Sequence, residues 1–269
     1  MNRLLASLAI LSVLIGGFEV RSADTWSPGP GWTLVWADEF NGTSIDTNNN
    51  WTYDIGGGGW GNNELQTYTS SSANSYIQNG ELVIKAVKNK NKYTSARLKT
   101  QGKHSWTYGK VAARIRLPYG QGIWPAFWML GDNITSVGWP KCGEIDIMEM
   151  IGGGENRDDT IYGTLHWDAN NSHAQYGSGP RELPDPQFFH QNYHVFEIEW
   201  SNLEVIWKLD GVEFFRTSVD TSAWPTMDEF HRPFFIILNL AVGGNWPGYP
   251  NRTTVFPQYM YIDWVRVYQ

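Results

Sequence analysis

The chain has 269 residues, a net charge of −7, a pI near 5.3, 15 Trp, 13 Tyr and a single cysteine, Cys142. Its acidic balance argues against nucleic acid and anionic membranes as partners, and one cysteine excludes an intramolecular disulfide. Aromatic rings stack well on sugars, but an aromatic core explains the same composition. We expect Cys142 to be a buried small hydrophobic residue, with a reactive thiol as the alternative.

Residues 1–23 are predicted to form a secretory signal peptide. Arg3 supplies the positive end, and the uncharged apolar run at residues 4–17 is too short to cross a bilayer comfortably. No second long apolar segment follows in the sequence. We therefore expect a secreted protein, extracellular or periplasmic, with no membrane contact after signal removal and with residues 24–269 as one domain.

The first half of this domain predicts short strands separated by turns. Residues 33–40 predict a strand, and residues 76–87 predict a hairpin about Asn79-Gly80, a favoured tight-turn pair. Residues 108–117 alternate apolar and mostly basic side chains, as a half-buried strand does. The glycine-rich loop at residues 56–61 lacks the Lys-Ser/Thr pair of a phosphate loop, so we reject nucleotide binding there.

An unusual acidic strand is predicted at residues 143–149, where three carboxylates are separated by apolar side chains. On a strand Glu144 and Asp146 share one face, but strict alternation would bury Glu149 and expose Met148. A β-bulge near Met148 would return Glu149 to the acidic face.

Three crowded carboxylates repel one another, so at least one should resist ionisation. A protonated acid beside an ionised carboxylate is what cleavage of a glycosidic bond requires. A solvated acidic strand or a calcium site is the alternative interpretation of residues 143–149.

The second half of the domain continues the same pattern. Residues 203–217 predict a hairpin about Asp210-Gly211, and the apolar run at residues 234–242 predicts a central strand buried on both faces. Residues 259–268 predict a final strand that pairs near the N-terminal strand. No stretch has a sustained helical period, so the fold class is all-β, a sandwich or a barrel.

At the acidic strand the chain resembles glycoside hydrolase family 16, and within it the laminarinase-like bacterial endo-β-1,3-glucanases. Glu144, Asp146 and Glu149 match the bulged family signature Glu-x-Asp-x-x-Glu. Further matching blocks lie at residues 60–66, 124–128, 163–167 and 239–248. The resemblance implies a β-jelly roll of two curved antiparallel sheets, concanavalin-like, with the substrate cleft on the concave face. It also implies that Glu144 is the nucleophile, Glu149 the general acid/base and Asp146 their assistant.

Eight residues are expected to bind substrate around these carboxylates: Trp60, Asn62, Glu64, Arg97, Trp124, Trp128, His166 and Trp246. Trp124 and Trp128 share one strand face, so both rings can line one cleft, although one of them could instead belong to the core. Asn62, Glu64 and Arg97 are equally explained as residues that brace a loop. His166 is expected to bond to sugar or to Asp146. A metal role for it is not expected, because no His or Cys lies at suitable spacing.

A structural calcium is implied by the resemblance on the convex side of the sandwich, while catalysis needs no cofactor. The ligands would be Asp263 and the backbone carbonyls of Glu39 and Gly80, an oxygen-only set that suits calcium. By alternation Asp263 shares its face with Val265 and Val267, where a carboxylate needs a partner. A buried hydrogen bond to a backbone amide is the alternative.

The predicted function is a retaining endo-β-1,3-glucanase that hydrolyses laminarin-like β-glucan by double displacement, acting as a monomer. Hydrolysis of mixed-linkage β-1,3-1,4-glucan or of an algal galactan is the alternative within the family. A glucan-binding lectin on the same fold is the alternative from another class. Relatives that bind without cutting typically lack the catalytic glutamates, and this chain has both.

Overall fold

Two stacked β-sheets form the computed structural model, which describes residues 24–154, 157–184 and 186–269. The first nine strands are β1 (Leu34–Asp38), β2 (Thr52–Asp54), β3 (Gln66–Tyr68), β4 (Ser75–Gln78), β5 (Glu81–Asn89), β6 (Lys92–Ser95), β7 (Arg97–Lys99), β8 (Gly109–Arg116) and β9 (Ile123–Gly131). The others are β10 (Glu144–Glu149), β11 (Thr160–Asp168), β12 (His173–Gly177), β13 (Arg181–Glu182), β14 (His194–Trp200), β15 (Glu204–Leu209), β16 (Val212–Ser218), β17 (Phe234–Val242) and β18 (Gln258–Tyr268).

The ten-stranded sheet has the order β16-β15-β14-β8-β18-β5-β6-β3, with β1 beside β18 and β4 beside β5. The eight-stranded sheet has the order β12-β11-β10-β9-β17-β7-β2, with β13 beside β11. Many strands that are distant in sequence lie side by side, as in a jelly roll. The predicted all-β jelly-roll sandwich is confirmed, and so is the pairing of the final strand with the first.

Alternation along the strands explains how the sheets pack. On β8 the side chains of Val111, Ala113 and Ile115 enter the core between the sheets, and those of Lys110 and Arg114 face away from it. Strand β17 is buried along its whole length, as its continuous apolar run predicts. It lies in the interior of the eight-stranded sheet, between β9 and β7.

Three details lie outside the expected pattern. Strands β3 and β6 pair in parallel, whereas an antiparallel arrangement was expected throughout. A short helix α1 (Ile134–Val137) and a 3-10 turn (Asp228–His231) interrupt the strands.

Within the described ranges no helix is long and apolar enough to span a bilayer. The predicted signal peptide at residues 1–23 lies outside the described residues.

Asp263 lies on a different face from the one that strict alternation predicts. The ladder between β18 and β8 shifts between Ile262 and Trp264. Val265 joins the main core with Ile262, whereas Trp264 belongs to a separate cluster on the other face. The expectation that Asp263 shares its face with Val265 is therefore wrong, because an irregular residue in the ladder reverses the alternation after it.

The buried carboxylate of Asp263 has a cationic partner, Arg114 of β8. The side chain of Glu39 likewise pairs with Arg266, at 2.7 Å. Strands β1 and β5 both pair with β18, so the expected calcium residues Glu39, Gly80 and Asp263 belong to adjoining parts of one sheet. The ion pair of Asp263 with Arg114 is a partner that neither the sequence nor the resemblance indicated.

Candidate active site

An open groove of about 750 Å³ lies on the face of the eight-stranded sheet that is turned away from the core. Strands β9, β10, β11 and β17 supply much of its lining. Glu144, Asp146 and Glu149 line this groove, and so do all eight residues that the sequence predicted to bind substrate. One surface therefore brings together residues that are up to 186 positions apart, from Trp60 to Trp246.

A β-bulge in β10 turns its last carboxylate onto the groove. Along β9, Asp146 pairs with Trp128 and Met148 pairs with Phe127, so the ladder skips one residue of β10. The register with β11 also shifts, between Asp146 and Glu149. Met148 packs into the core while Glu149 reaches the groove. The bulge predicted near Met148 is confirmed.

The opposite sheet supports the bulged backbone from below. Trp207 of β15 is fully buried and donates its indole N–H to the backbone oxygen of Asp146 at 2.8 Å. A bulge disturbs the regular ladder, so an indole donor here satisfies a buried carbonyl. Gly143, with φ of 79°, precedes the strand, and a Cβ there would lie 2.8 Å from Cζ of Phe234. Glycine therefore fits best before Glu144.

Each glutamate receives one indole N–H. Nε1 of Trp139 donates to Oε2 of Glu144 at 2.8 Å, and Nε1 of Trp124 donates to Oε1 of Glu149 at 3.0 Å. A hydrogen bond to a carboxylate favours its ionised form and holds its orientation. The two indoles therefore direct the remaining carboxylate oxygens into the groove.

Burial raises the pKa of all three carboxyls. Together with the charge of Asp146, it raises the pKa of Glu144 to about 8. Together with the charge of Glu144, it raises the pKa of Glu149 to about 7. The pKa of Asp146 is raised well above its ordinary value by burial and by Glu149. The three groups titrate as one cluster, which retains at least one proton at neutral pH.

His166 of β11 stands beside the cluster. Its Nε2 lies 3.1 Å from Oδ2 of Asp146 and 3.9 Å from Oε1 of Glu144, so the expected contact with Asp146 is present. Its Nδ1 lies 2.9 Å from Nε2 of His173 on β12. The spacing in the sequence did not indicate this histidine neighbour of His166. The β11–β12 hairpin folds the chain back so that His173 reaches it.

One wall of the groove is a connected aromatic and polar network. Trp128 donates its indole N–H to Oδ1 of Asn239 at 2.7 Å, and Asn239 donates to the hydroxyl of Tyr68 at 3.1 Å. The guanidinium of Arg97 lies 4.7 Å from the ring centre of Trp128 and 5.0 Å from that of Trp60. Trp128 thus lines the groove and does not belong to the main core.

The other wall is built around Trp246. Its ring makes edge contacts with Trp124 at 5.8 Å and with Tyr162 at 5.0 Å between centroids. Gly244 allows this close approach, because a Cβ there would lie 3.1 Å from Cζ3 of Trp124. Trp246 keeps 40% of its surface exposed, so part of its ring is available to a ligand in the groove.

Asn62 and Glu64 brace their loop and, together with Arg97, line the groove. Asn62 donates to Oε1 of Glu64 at 3.3 Å, and Gln66 donates to Oε2 of the same carboxylate at 2.5 Å. Burial raises the pKa of Glu64. Arg97 of β7 forms an ion pair with Asp54 of β2 at 2.9 Å, which links two strands and not a loop. The loop-bracing interpretation therefore holds for Asn62 and Glu64, and the place of all three residues in the groove is compatible with sugar binding as well.

The sequence did not single out three of the residues that complete the groove, namely Trp139, His173 and Asn239. Asn239 lay within a matched block, and Trp139 lies only five positions before Glu144. His173 had no local signal, because its role depends on a hairpin that brings it back to His166. Cys142 is fully buried against Leu130 and its neighbours, which confirms the small hydrophobic residue.

The family model described as Glycosyl hydrolases family 16 matches residues 62–266. The chain is 40% identical over 276 residues to a beta-glucanase from Rhodothermus marinus, covering 97% of this chain and 93% of that protein. It is 41% identical over 249 residues to the clotting factor G alpha subunit of Tachypleus tridentatus, covering 89% of this chain but only 34% of that protein. The laminarinase catalytic domain of Thermotoga maritima superposes with a TM-score of 0.79 at 45% identity, covering 88% of this chain and 98% of that one. The chain, with its bulged triad of carboxylates in an aromatic groove, belongs to glycosyl hydrolase family 16.

Proposed function

We propose that the chain is a secreted retaining endo-β-1,3-glucanase that hydrolyses laminarin-like β-glucans. The observation that carries this proposal is the bulge of β10, which places Glu144, Asp146 and Glu149 together on the floor of an aromatic groove. The beta-glucanase and the laminarinase domain to which the chain is similar support the choice of substrate. Secretion rests on the predicted signal peptide.

In the proposed mechanism Glu144 attacks the anomeric carbon while Glu149, as a neutral acid, protonates the departing glycosidic oxygen. The covalent glycosyl-enzyme is then hydrolysed by a water molecule that Glu149 deprotonates. Retention requires the two carboxyls about 5–5.5 Å apart. Asp146 lies between them on the strand, and its charge favours a proton on a neighbouring glutamate.

The assigned roles require that Glu144 is ionised and that Glu149 is protonated when the substrate is bound. In the free chain burial raises the pKa of both glutamates, that of Glu144 to about 8 and that of Glu149 to about 7. A bound sugar must therefore favour the proton on Glu149 and the charge on Glu144. A glycosidic oxygen beside Glu149 accepts a hydrogen bond from its protonated form and raises its pKa. Loss of a proton from Glu144 is then favoured by the indole N–H of Trp139.

Mixed-linkage β-1,3-1,4-glucan is the second candidate substrate. The Rhodothermus marinus relative is named only as a beta-glucanase, which leaves the linkage open. The groove offers indole platforms to both kinds of glucan, since ring stacking does not depend on the position of the next linkage.

A substrate panel tests the proposal directly. The purified chain is assayed for release of reducing sugar from laminarin, lichenan, agarose and carrageenan. We expect the highest rate on laminarin, with internal cleavage seen as a rapid fall in mean chain length. Proton NMR in the first minutes should show the β anomer of the new reducing end. A faster rate on another polysaccharide would overturn the substrate, and early accumulation of the α anomer would overturn the retaining mechanism.

The structural calcium and the monomeric state also belong to this proposal. Arg114 competes with a metal ion for the carboxylate of Asp263, so calcium would have to share that group. The backbone oxygens of Glu39 and Gly80 would be the remaining ligands. Measurement of the molar mass by light scattering tests the monomer, and thermal unfolding tests the calcium.

A further inference from the structure

Three side chains on and beside strand β10 are arranged as a metal-binding site would be. One carboxylate oxygen of Glu144, one of Asp146 and one ring nitrogen of His166 all lie within 4.8 Å of one another. The ligands of a tetrahedral zinc ion stand roughly 3.3–3.5 Å apart, given bond lengths of about 2.0–2.2 Å. The observed separations of His166 Nε2 from the two oxygens, 3.1 and 3.9 Å, bracket that value.

The carboxylate of Asp146 has an oxygen that is available to a ligand. Asp146 is 2% exposed, yet its Oδ2 has no hydrogen-bond partner within the described ranges of the chain. Nε2 of His166 is close to this oxygen but is not aligned with it as a donor. A buried carboxylate oxygen without a donor carries a desolvation cost, which a bound cation would remove.

In Glu144 and His166, the polar atom that does not face the proposed ligand position already has a hydrogen-bond partner. Trp139 donates to Oε2 of Glu144 at 2.8 Å and leaves Oε1 for a ligand. His173 contacts Nδ1 of His166 at 2.9 Å and leaves Nε2 for a ligand. Partners of this kind orient the groups that bind a metal and raise its affinity. The side chains of Glu144 and His166 are each 16% exposed, so the position opens to the groove and a water molecule can complete the coordination.

We propose that the groove binds one zinc ion through Glu144 Oε1, Asp146 Oδ2 and His166 Nε2, and that this ion reversibly blocks the site. An imidazole with two carboxylates in tetrahedral geometry suits zinc, whereas calcium and magnesium prefer more oxygen ligands. The ion occupies the oxygen of Glu144 that would attack the sugar. It therefore competes with a glucan for the same groove.

Zinc binding is measured on the full chain by equilibrium dialysis with zinc chloride at neutral pH, after treatment with a chelator and its removal. We expect one zinc ion per chain. His166→Gln should weaken binding at least 10-fold, and His173→Gln should weaken it about 10-fold, since loss of an orienting partner typically costs 10–100-fold. The matched control is His104→Gln, a half-buried histidine outside the groove, which should bind like the unaltered chain. Calcium or magnesium in tenfold excess should not displace the ion.

A second measurement needs no variant that could fail to fold. Cobalt(II) added to the unaltered chain should give the intense visible absorption of a four-coordinate ion, and zinc should abolish it. Equal zinc affinity in the His166→Gln chain, or only weak six-coordinate cobalt absorption, would overturn the site. In the glucanase assay zinc should lower the rate and a chelator should restore it. This last arm rests on the proposed function, whereas the binding arms stand without it.

Discussion

The indole nitrogen of Trp139 lies 2.8 Å from Oε2 of Glu144, and it holds the proposed nucleophile from a loop outside the strand that carries it. Trp139 is 48% exposed, and its ring also lies 4.6 Å from that of His173. An exposed indole can therefore orient a buried carboxylate and still offer a face to the groove. This relationship leads to the first prediction.

Trp139→Phe should lower kcat/KM by about 10–100-fold, because the loss of a charge-assisted hydrogen bond to Glu144 costs about 1.5–3 kcal/mol. Stability should change little, since the side chain is half exposed. The measurement is steady-state kinetics on the preferred glucan. Trp224→Phe, an exposed tryptophan away from the groove, is the matched control and should behave like the unaltered chain. Equal losses in the two variants would contradict a specific role of the indole N–H.

Glu144→Gln and Glu149→Gln should each reduce kcat by about 10²–10⁴-fold while glucan binding and the fold persist. Both changes keep the shape of the side chain and remove its ability to attack or to transfer a proton. Glu213→Gln, at an exposed ion pair with Arg216, is the control and should retain full activity. Turnover near that of the unaltered chain in either groove variant would end the assignment of the catalytic pair.

The raised pKa values predict that stability declines as pH rises. Glu144 and Glu149 ionise near 4.5 when exposed, but their pKa values in the folded chain are about 8 and about 7. The folded chain thus binds more protons than the unfolded chain between these limits. The resulting contribution to stability is complete below about pH 4.5 and is lost as pH rises to about 8.

Thermal unfolding between pH 5 and pH 8 measures this decline, and Glu149→Gln should make it shallower. The value of kcat/KM should also fall as pH rises past about 7 to 8, because Glu149 and Glu144 then lose their protons and the general acid is no longer protonated. A Tm that rises steadily from pH 5 to pH 8, or an unchanged slope in the Gln variant, would show that the cluster is ionised in the folded chain.

Trp207→Phe tests the support beneath the bulge. The change keeps a ring in the core and removes the donor to the backbone oxygen of Asp146, which should cost about 1–3 kcal/mol in the free energy of unfolding. Trp200→Phe is the matched control, because it removes a similar buried bond, to the backbone oxygen of Phe230 at 3.0 Å. Both variants should lose stability in urea, but only Trp207→Phe should also lose kcat/KM. Equal kinetics would mean that the bulge needs no indole.

Calcium should raise the Tm of the metal-free chain if the proposed convex site binds it. An ion present at 100 times its dissociation constant adds about 2.7 kcal/mol to the free energy of unfolding. Asp263→Asn should abolish the response to calcium, whatever the loss of the Arg114 pair does to the Tm itself. If calcium leaves the Tm of the metal-free, unaltered chain unchanged, the proposed convex calcium site is wrong.

Local patterns predicted most of the sandwich because strands have a period of two and tight turns have recognisable residues. The hairpin about Asn79-Gly80, the buried β17 and the bulge near Met148 all follow from such short-range signals. The same reasoning was wrong at Asp263. The register shift there arises from the pairing of β18 with β8, and the alternation of apolar and polar residues within one strand does not reveal it.

The sequence by itself determined that three carboxylates occupy one strand, and strand parity with the cost of burying Glu149 was enough to place the bulge. Only the tertiary structure decided which partners surround them. Trp139 from a loop and Trp207 from the opposite sheet bond to the strand, and His173 from a hairpin contacts His166 beside it. No local pattern encodes these contacts. Backbone periodicity is a property of neighbouring residues, whereas the orientation of a carboxylate and its pKa depend on whatever the fold packs around it.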